Sequence, residues 1–382
     1  MDICILNPYF YPYKGGTEKV LLEVYRRLAK KHNVTILTST VPGRNEARKE
    51  DIQGINVVRL RTHQVPFPEL PLPFESFENL NSEIKKVDAE IYHINNRFQY
   101  YYYNLQSIAK TSGKLCLTIH NSLPININPQ TDFFGRLYDI AWGRKIMHQA
   151  DLITGVSKDA IDVTVPERDK PKAHVVYNGV DPKVFKRYPK SNPKVAKLID
   201  EFSFHGPTVI CNGRFVPQKG QIYLVRALSL ISKGGETPNL LLLGKGPMEP
   251  ELRNTAANLG INLEIRSDIG DDKLPYYYSA CDIAVAPSLY EPASLAALES
   301  MACELPVIAS RIGGLPEMVG KCGIYVKPKD PEGLATAISG ILSDQKLAKK
   351  MGSCGREKVM KDHSWDKIAN RYEELFLNTI KA

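Results

Sequence analysis

The chain has 382 residues, 43% hydrophobic and 24% charged, a balance that suits an ordinary folded protein and argues against a disordered or fibrous one. It contains no run of eighteen apolar residues, and its opening MDICILNPYF lacks a basic n-region, so neither a membrane span nor a signal peptide is expected. The net charge of +8 is spread evenly, with 23 basic and 19 acidic residues up to Val180, then 27 and 23. Without a basic tail no nucleic-acid partner is expected, whereas a phosphate-rich ligand or an anionic membrane surface is compatible with that charge.

Short β-rich apolar runs alternate with helical patterns along the whole chain, which predicts α/β architecture with parallel sheets. In the first half the pattern predicts strands near 2–6, 33–38, 55–60, 90–94, 115–119, 151–155 and 173–177. Helices fall at about 16–31, 99–111 and 133–149. The proline- and lysine-rich stretch 181–207 has no strand pattern, so the hinge between two domains is expected at about 180–200. Strands follow near 207–212, 239–243, 261–265, 282–286, 306–309 and 323–326, with helices at about 219–232, 249–259, 273–280 and 294–303. In such sheets ligands bind beyond the carboxyl ends of strands, so the loops after strands are where chemistry is sought.

Seven scattered cysteines with no Cys-x-x-Cys pair suggest reduced core residues of a cytoplasmic protein and no zinc site. No D-x-D pair stands at a strand end, since Asp88 and Glu90 precede a strand, and no divalent metal is expected.

After the first strand, Gly15-Gly16 leads straight into an amphipathic helix. This allows a close backbone approach and offers free N–H groups to an anion, although G-x-G-x-x-G is absent and, taken alone, the pair reads better as a plain turn at the helix entry. His120 follows the strand KLCLTIH, and His93 also stands at a strand end, where a structural role is the default. In the second half, NGRFVPQKG sets Arg214 at a strand end and Lys219-Gly220 at the next helix start, a pairing suited to clamping a diphosphate.

The segment SLYEPASLAALESMACELPVIAS holds Glu291 in a loop and Glu299 inside the following helix. The helical step puts Glu299 on the apolar arc between Leu295 and Cys303, with Ser300 and Glu304 at the solvent positions, and a carboxylate on such an arc is costly unless satisfied. Eight residues span roughly 12 Å of helix, more than the ~5–9.5 Å separating a glycosidase carboxyl pair. The two glutamates therefore suit two separate hydroxyl-bearing parts of one long ligand. A helix start between them would face an anionic middle, which is the layout of a nucleotide sugar.

In these motifs the chain resembles the family 4 retaining glycosyltransferases of the GT-B fold (glycosyl transferases group 1). The resemblance rests on Gly15-Gly16 with Glu18, on His120, VVYNGVD (175–181), GRFVPQKG (213–220), GKGP (244–247) and EPASLAALE (291–299). MACELPVIAS, GGLPEMV and HSWDKIANRYEELF (363–376) continue it. It implies two Rossmann-like domains facing across a cleft: an acceptor-side domain over 1–180 and a donor-binding domain over 181–363. A final helix, 364–382, would cross back to the first.

The resemblance further implies a retaining, metal-independent hexosyl transfer from a UDP- or GDP-hexose to a hydroxyl acceptor, with no other cofactor. Glu291 would contact the donor sugar, Glu299 the ribose, and Arg214 and Lys219 the diphosphate. Ala293, Ser294 and Leu295 would add backbone N–H donors. Gly15 and Gly16 would approach the diphosphate from the other domain, where His120 would support the transferred sugar. The family often has Gly-Phe-Gly after the first motif glutamate, where this chain has Pro292-Ala293-Ser294, with Ser294 placed to cap the helix or touch phosphate.

The acceptor, a glycan or a lipid-linked molecule, would be read by the first domain. Its unusual segments are 65–77, the tyrosine run 100–103 and the aromatic and basic stretch 133–149; core packing is the expectation for the last, with peripheral contact with the cytoplasmic membrane face as the alternative. A GT-B sugar-nucleotide epimerase and a silent nucleotide-sugar-binding subunit are the competing readings. Donor base, linkage and oligomeric state stay open.

Overall fold

Valine, isoleucine and leucine runs bounded by glycine and polar turns form the strands of two parallel sheets. The computed structural model describes residues 1–13, 15–40, 48–65, 74–77, 80–95, 108, 111–121, 133, 136–137, 139–204, 206–232 and 237–382. Its described residues fall into two units: one within Met1–Asn178 joined by Trp365–Ala382, the other Gly179–Ser364.

The N-terminal unit is built from strands β1 (Asp2–Leu6), β2 (Asn33–Ser39), β3 (Arg48–Ile52), β4 (Ile55–Leu60), β7 (Ile91–Ile94), β8 (Lys114–Ile119), β9 (Leu152–Gly155) and β10 (Ala173–Val175). A separate hairpin pairs β5 (Thr62–Val65) with β6 (Phe74–Phe77). Its main sheet runs β10-β9-β8-β7-β1-β2-β4-β3, parallel except for the edge strand β3. The sequence pattern does not predict β3, because RKEDI has four charged residues in five; a charged edge strand is a common guard against pairing with another chain. Its turn runs through Gln53 and Gly54, both at positive φ.

Among the described residues of 1–178, the α-helices beside this sheet are α1 (Gly16–Leu28), α2 (Leu80–Val87), α3 (Arg144–Gln149) and α4 (Lys158–Thr164). The expected helix 99–111 and the tyrosine run 100–103 lie outside the described residues apart from Ile108 and Thr111. Within 133–149, Asp139–Gly143 forms a π-helical turn. Core packing fails for part of that stretch: among its described residues Phe133, Leu137, Ile140 and Trp142 are exposed, while Ile146 and Met147 are buried.

The C-terminal unit begins with α5 (Pro193–Phe202), inside the stretch expected to be hinge. Pro193 sits at the first helical position and the Asn192 side chain caps the helix, so its proline opens the helix and does not break it. There follow β11 (Thr208–Asn212), α6 (Gln221–Ser232), β12 (Asn239–Leu243), α7 (Glu249–Asn258), β13 (Leu263–Arg266), α8 (Leu274–Ala280), β14 (Ile283–Ala286) and α9 (Leu295–Ala302). The unit continues through β15 (Val307–Ser310), α10 (Leu315–Val319), β16 (Gly323–Val326), α11 (Pro331–Ser343) and α12 (Gln345–Asp362). The sheet order is β13-β12-β11-β14-β15-β16, parallel throughout. Every residue of β12, NLLLL, is buried, as expected for a strand covered on both faces.

The last helix, α13 (Trp365–Lys381), belongs to the N-terminal unit and lies along α1. Tyr372 and Phe376 pack beside the buried His93, while Arg27–Asp366 (2.6 Å) and Lys31–Glu373 (2.9 Å) bind the rim. His93 is structural, as expected. It hydrogen-bonds Tyr25 and lies 2.7 Å from Thr118 Oγ1, and burial holds its pKa at about 3.

The cysteines correct one expectation. Cys322, just before β16, and Cys354, on α12, form a disulfide across 32 residues of sequence. Cys4, Cys116, Cys211, Cys281 and Cys303 are free and buried. The pairing depends on where α12 is laid, which cysteine spacing does not encode.

Candidate active site

In the C-terminal unit β11 has β12 on one side and β14 on the other, so the strand order reverses at β11/β14. Loops leaving such a reversal diverge and open a crevice at the carboxyl ends of the strands. The loop after β11 carries Arg214 and Lys219, and the loop after β14 carries Ser288 and Glu291.

Backbone contacts lock these loops together. Leu289 N–H donates to the Gln218 carbonyl at 2.8 Å. Gly220 has φ +67°, and a Cβ there would stand 2.1 Å from the Pro287 carbonyl oxygen, so only glycine fits this crossing. The loop after β12 joins through Phe215 N–H, which donates to the Lys245 carbonyl at 3.0 Å.

This framework joins Lys219 to Glu291: Nζ donates to Oε2 at 2.5 Å, and Ser288 Oγ donates to the same oxygen at 3.2 Å. Glu291 is buried and Lys219 half-buried. The Glu291 carbonyl accepts Gly314 N–H at 3.0 Å, tying the loop to the approach to α10.

Ser294 is the N-cap of α9, its hydroxyl accepting the Ala297 N–H at 3.3 Å. The Ser294 N–H meets Met318 Sδ at 3.1 Å. With Ala297 capped, the amides of Leu295 and Ala296 head the helix at its positive end, beyond the reach of intrahelical acceptors. Ala293 is half-buried beside them.

Glu299, on the second turn, is 4% exposed. It accepts the Tyr278 hydroxyl at 2.9 Å, and the Tyr278 oxygen accepts Asn212 Nδ2 at 2.8 Å. Ser300, expected to face solvent, is buried with its hydroxyl on the Ala296 carbonyl at 2.7 Å; Glu304 is exposed as expected. The Arg214 side chain is exposed at the mouth of the loop, while its carbonyl accepts Gln221 Nε2 at 2.9 Å.

The other candidate residues lie in the N-terminal unit. Gly15 is the N-cap of α1, where a Cβ would stand 2.1 Å from the Glu18 carboxylate, and Gly16 is the first helical residue. His120, just beyond β8, has Nε2 at 3.1 Å from Asn95 Oδ1. Burial pushes its pKa down to about 4, so it is neutral at pH 7. Among the described residues no group of three or more His, Cys, Asp or Glu side chains is arranged to hold a metal. No helix among them is long and apolar enough to cross a membrane.

Sequence reasoning missed Asn212, Tyr278, Ser288 and Asn95. Asn212 and Asn95 carried one usable signal, a polar residue at the carboxyl end of a predicted strand. Tyr278 lay hidden in an apolar helix pattern.

Comparison with known proteins bears on the family and the fold. Residues 14–184 match the Glycosyltransferase Family 4 model and residues 206–344 match Glycosyl transferases group 1. Alpha-maltose-1-phosphate synthase of Mycolicibacterium smegmatis is 29% identical over 282 residues, 68% of this chain and 72% of that protein. The GDP-mannose-dependent alpha-(1-6)-phosphatidylinositol monomannoside mannosyltransferase of the same organism is 33% identical over 180 residues, 44% of this chain; the chain spans about half the length of that relative (47%). Sucrose-phosphate synthase from Thermosynechococcus elongatus superposes with a TM-score of 0.75 over 98% of both chains at 24% identity, a likeness of fold. The chain is therefore a glycosyltransferase of the GT-B fold, related to the family 4 and group 1 glycosyltransferases.

Proposed function

We propose that the chain is a retaining hexosyltransferase that moves a hexose from a UDP- or GDP-sugar to a hydroxyl of a glycan or lipid-linked acceptor. The observation that carries this reading is the Lys219–Glu291 pair at the strand-order reversal, directly before the capped head of α9. A diphosphate seated at that helix head would meet the amides of Leu295 and Ala296 and the Lys219 ammonium, with the exposed Arg214 guanidinium as a second cation. Glu291 would take hydroxyls of the transferred sugar and Glu299 those of the ribose. In the N-terminal unit, Gly15-Gly16 would offer backbone to phosphate and His120 a neutral imidazole to a sugar hydroxyl.

The chemistry follows from where charge develops. As the anomeric carbon–oxygen bond breaks, the sugar becomes oxocarbenium-like and negative charge grows on the departing phosphate oxygen. Lys219 and Arg214 stabilise that oxygen more in the transition state than in the ground state, which is the condition for acceleration. The acceptor hydroxyl attacks from the leaving-group face and passes its proton to the departing phosphate, so configuration is retained and no protein base is required. Two relatives whose names specify alpha-configured products or linkages support this stereochemistry. Biosynthesis of a glycan, glycolipid or cell-surface polysaccharide is the setting that fits such a transfer.

A thermal-shift screen of UDP- and GDP-hexoses, followed by proton NMR of the product's anomeric signal, tests the proposal. One donor should raise the melting temperature and be consumed only with an acceptor, giving a product of the donor's configuration. Release of a free isomer without acceptor would instead mark an epimerase, and binding without turnover across varied acceptors a silent subunit.

A further inference from the structure

Glu299 is buried on α9, whose Leu298 and Met301 belong to an apolar cluster with Cys303 just beyond the helix, and a carboxylate survives there only if its orientation and charge are supported. The support is a directed chain. Asn212 Nδ2 donates to the Tyr278 oxygen at 2.8 Å, and the Tyr278 hydroxyl donates to Glu299 Oε2 at 2.9 Å. The opposite amide orientation would take the only phenolic proton and remove it from the carboxylate. Tyr278 is held rigidly, 1% exposed with its ring 6.4 Å from that of Phe185. Burial, reinforced by the Glu299 charge, pushes its phenol well above the ordinary value, so it remains a donor through the neutral range.

Three elements thus converge on one carboxylate: the end of β11, the buried face of α8 and the second turn of α9. A carboxylate accepts both hydroxyls of a vicinal diol only when its plane is fixed, and a group free to rotate spreads its acceptors over many geometries. We infer that Tyr278 and Asn212 are positioning residues that hold Glu299 for the adjacent hydroxyls of a ribose, making the site select a ribonucleoside diphosphate over its 2′-deoxy counterpart. The inference rests on the proposed reading of Glu299 as the ribose-binding carboxylate. Neither residue touches the reacting atoms; both act through the carboxylate. A site built to bond a hydroxyl rejects an analogue lacking it far more strongly than an apolar pocket rejects a lost methylene.

Calorimetric titration with UDP, GDP and their 2′-deoxy forms tests this on the wild type, Tyr278→Phe and Asn212→Ala. The wild type should bind one ribonucleoside diphosphate at least about 50-fold tighter than its 2′-deoxy form. Tyr278→Phe should cut that ratio roughly tenfold and raise the donor KM by a similar factor, with kcat within about twofold. Asn212→Ala should move both in the same direction by less. Should Tyr278→Phe not fold, Asn212→Ala decides on the same ratio. Retention of the wild-type ratio in the variants, or a loss of affinity equal for ribo and deoxy ligands, overturns the inference. A wild type that binds no ribonucleoside diphosphate overturns the proposed function itself, whereas tight binding with no ribo preference overturns only the role of Glu299.

Discussion

Lys219 Nζ stands 2.5 Å from Glu291 Oε2, so the loops leaving β11 and β14 meet in one ion pair where the strand order reverses. Without ligand each charge satisfies the other. In the proposed donor complex the ammonium would lie between two anions, the Glu291 carboxylate and the diphosphate, while Glu291 would also face the sugar hydroxyls.

Removing either partner therefore has two effects of different size. Lys219→Ala leaves the buried Glu291 carboxylate without its cation, which is expected to cost about 2–4 kcal/mol, within the reserve of a folded domain. On the proposed reading it also removes the charge that would face the leaving group, worth roughly 10²–10³ in kcat. Urea unfolding and steady-state kinetics on Lys219→Ala and Glu291→Gln separate the two: Glu291→Gln should spare most of the stability and lose most of the transfer.

Gly220 makes the loop crossing possible. Gly220→Ala forces a side chain into a left-handed backbone with its Cβ on the Pro287 carbonyl. A loss of at least ~2 kcal/mol is expected, together with weaker donor binding. Thermal melts with and without nucleotide check it.

The α1–α13 contact tells which forces fasten the last helix. Asp366 is 75% exposed in its pair with Arg27, so Asp366→Asn should change stability by less than about 0.5 kcal/mol. Phe376, fully buried beside His93, should cost about 3–5 kcal/mol when cut to alanine. Chemical denaturation of both variants gives the comparison.

Acid should loosen the N-terminal unit through the buried His93 and the half-buried His120. Folded values of about 3 for His93 and about 4 for His120 lie below the ordinary 6.5, so between about pH 4 and 6.5 the unfolded chain binds more protons. Stability is therefore full above pH 6.5 and falls as pH drops through that window, by at most ~1.4 kcal/mol per pH unit for each histidine. His93→Gln should flatten the slope in urea titrations at pH 7.5, 6 and 5.

Much of this was legible in the sequence because parallel strands are continuous apolar runs and their ends are polar. The predicted strands 239–243 and 323–326 coincide with those observed, and most others agree within a residue or two. Glu299 stood out because a carboxylate on an apolar arc needs a partner; the partner itself, Tyr278, comes from a helix 21 residues earlier and no local pattern announces it. The burial of Ser300 was missed because a hydroxyl satisfied by its own helix, through the Ala296 carbonyl, needs no solvent. The Cys322–Cys354 link and the charged strand β3 were missed for a common reason: each depends on a neighbour that tertiary packing supplies.

The central claim, that Lys219 beside the head of α9 meets the diphosphate of a nucleotide sugar whose hexose hydroxyls Glu291 takes, is met most directly by calorimetric titration of UDP and GDP into the wild type and Lys219→Ala. The wild type should bind one of the two, and Lys219→Ala should lose at least about 30-fold in affinity, the scale of a charge-assisted phosphate contact. Equal affinity in the two proteins would contradict it.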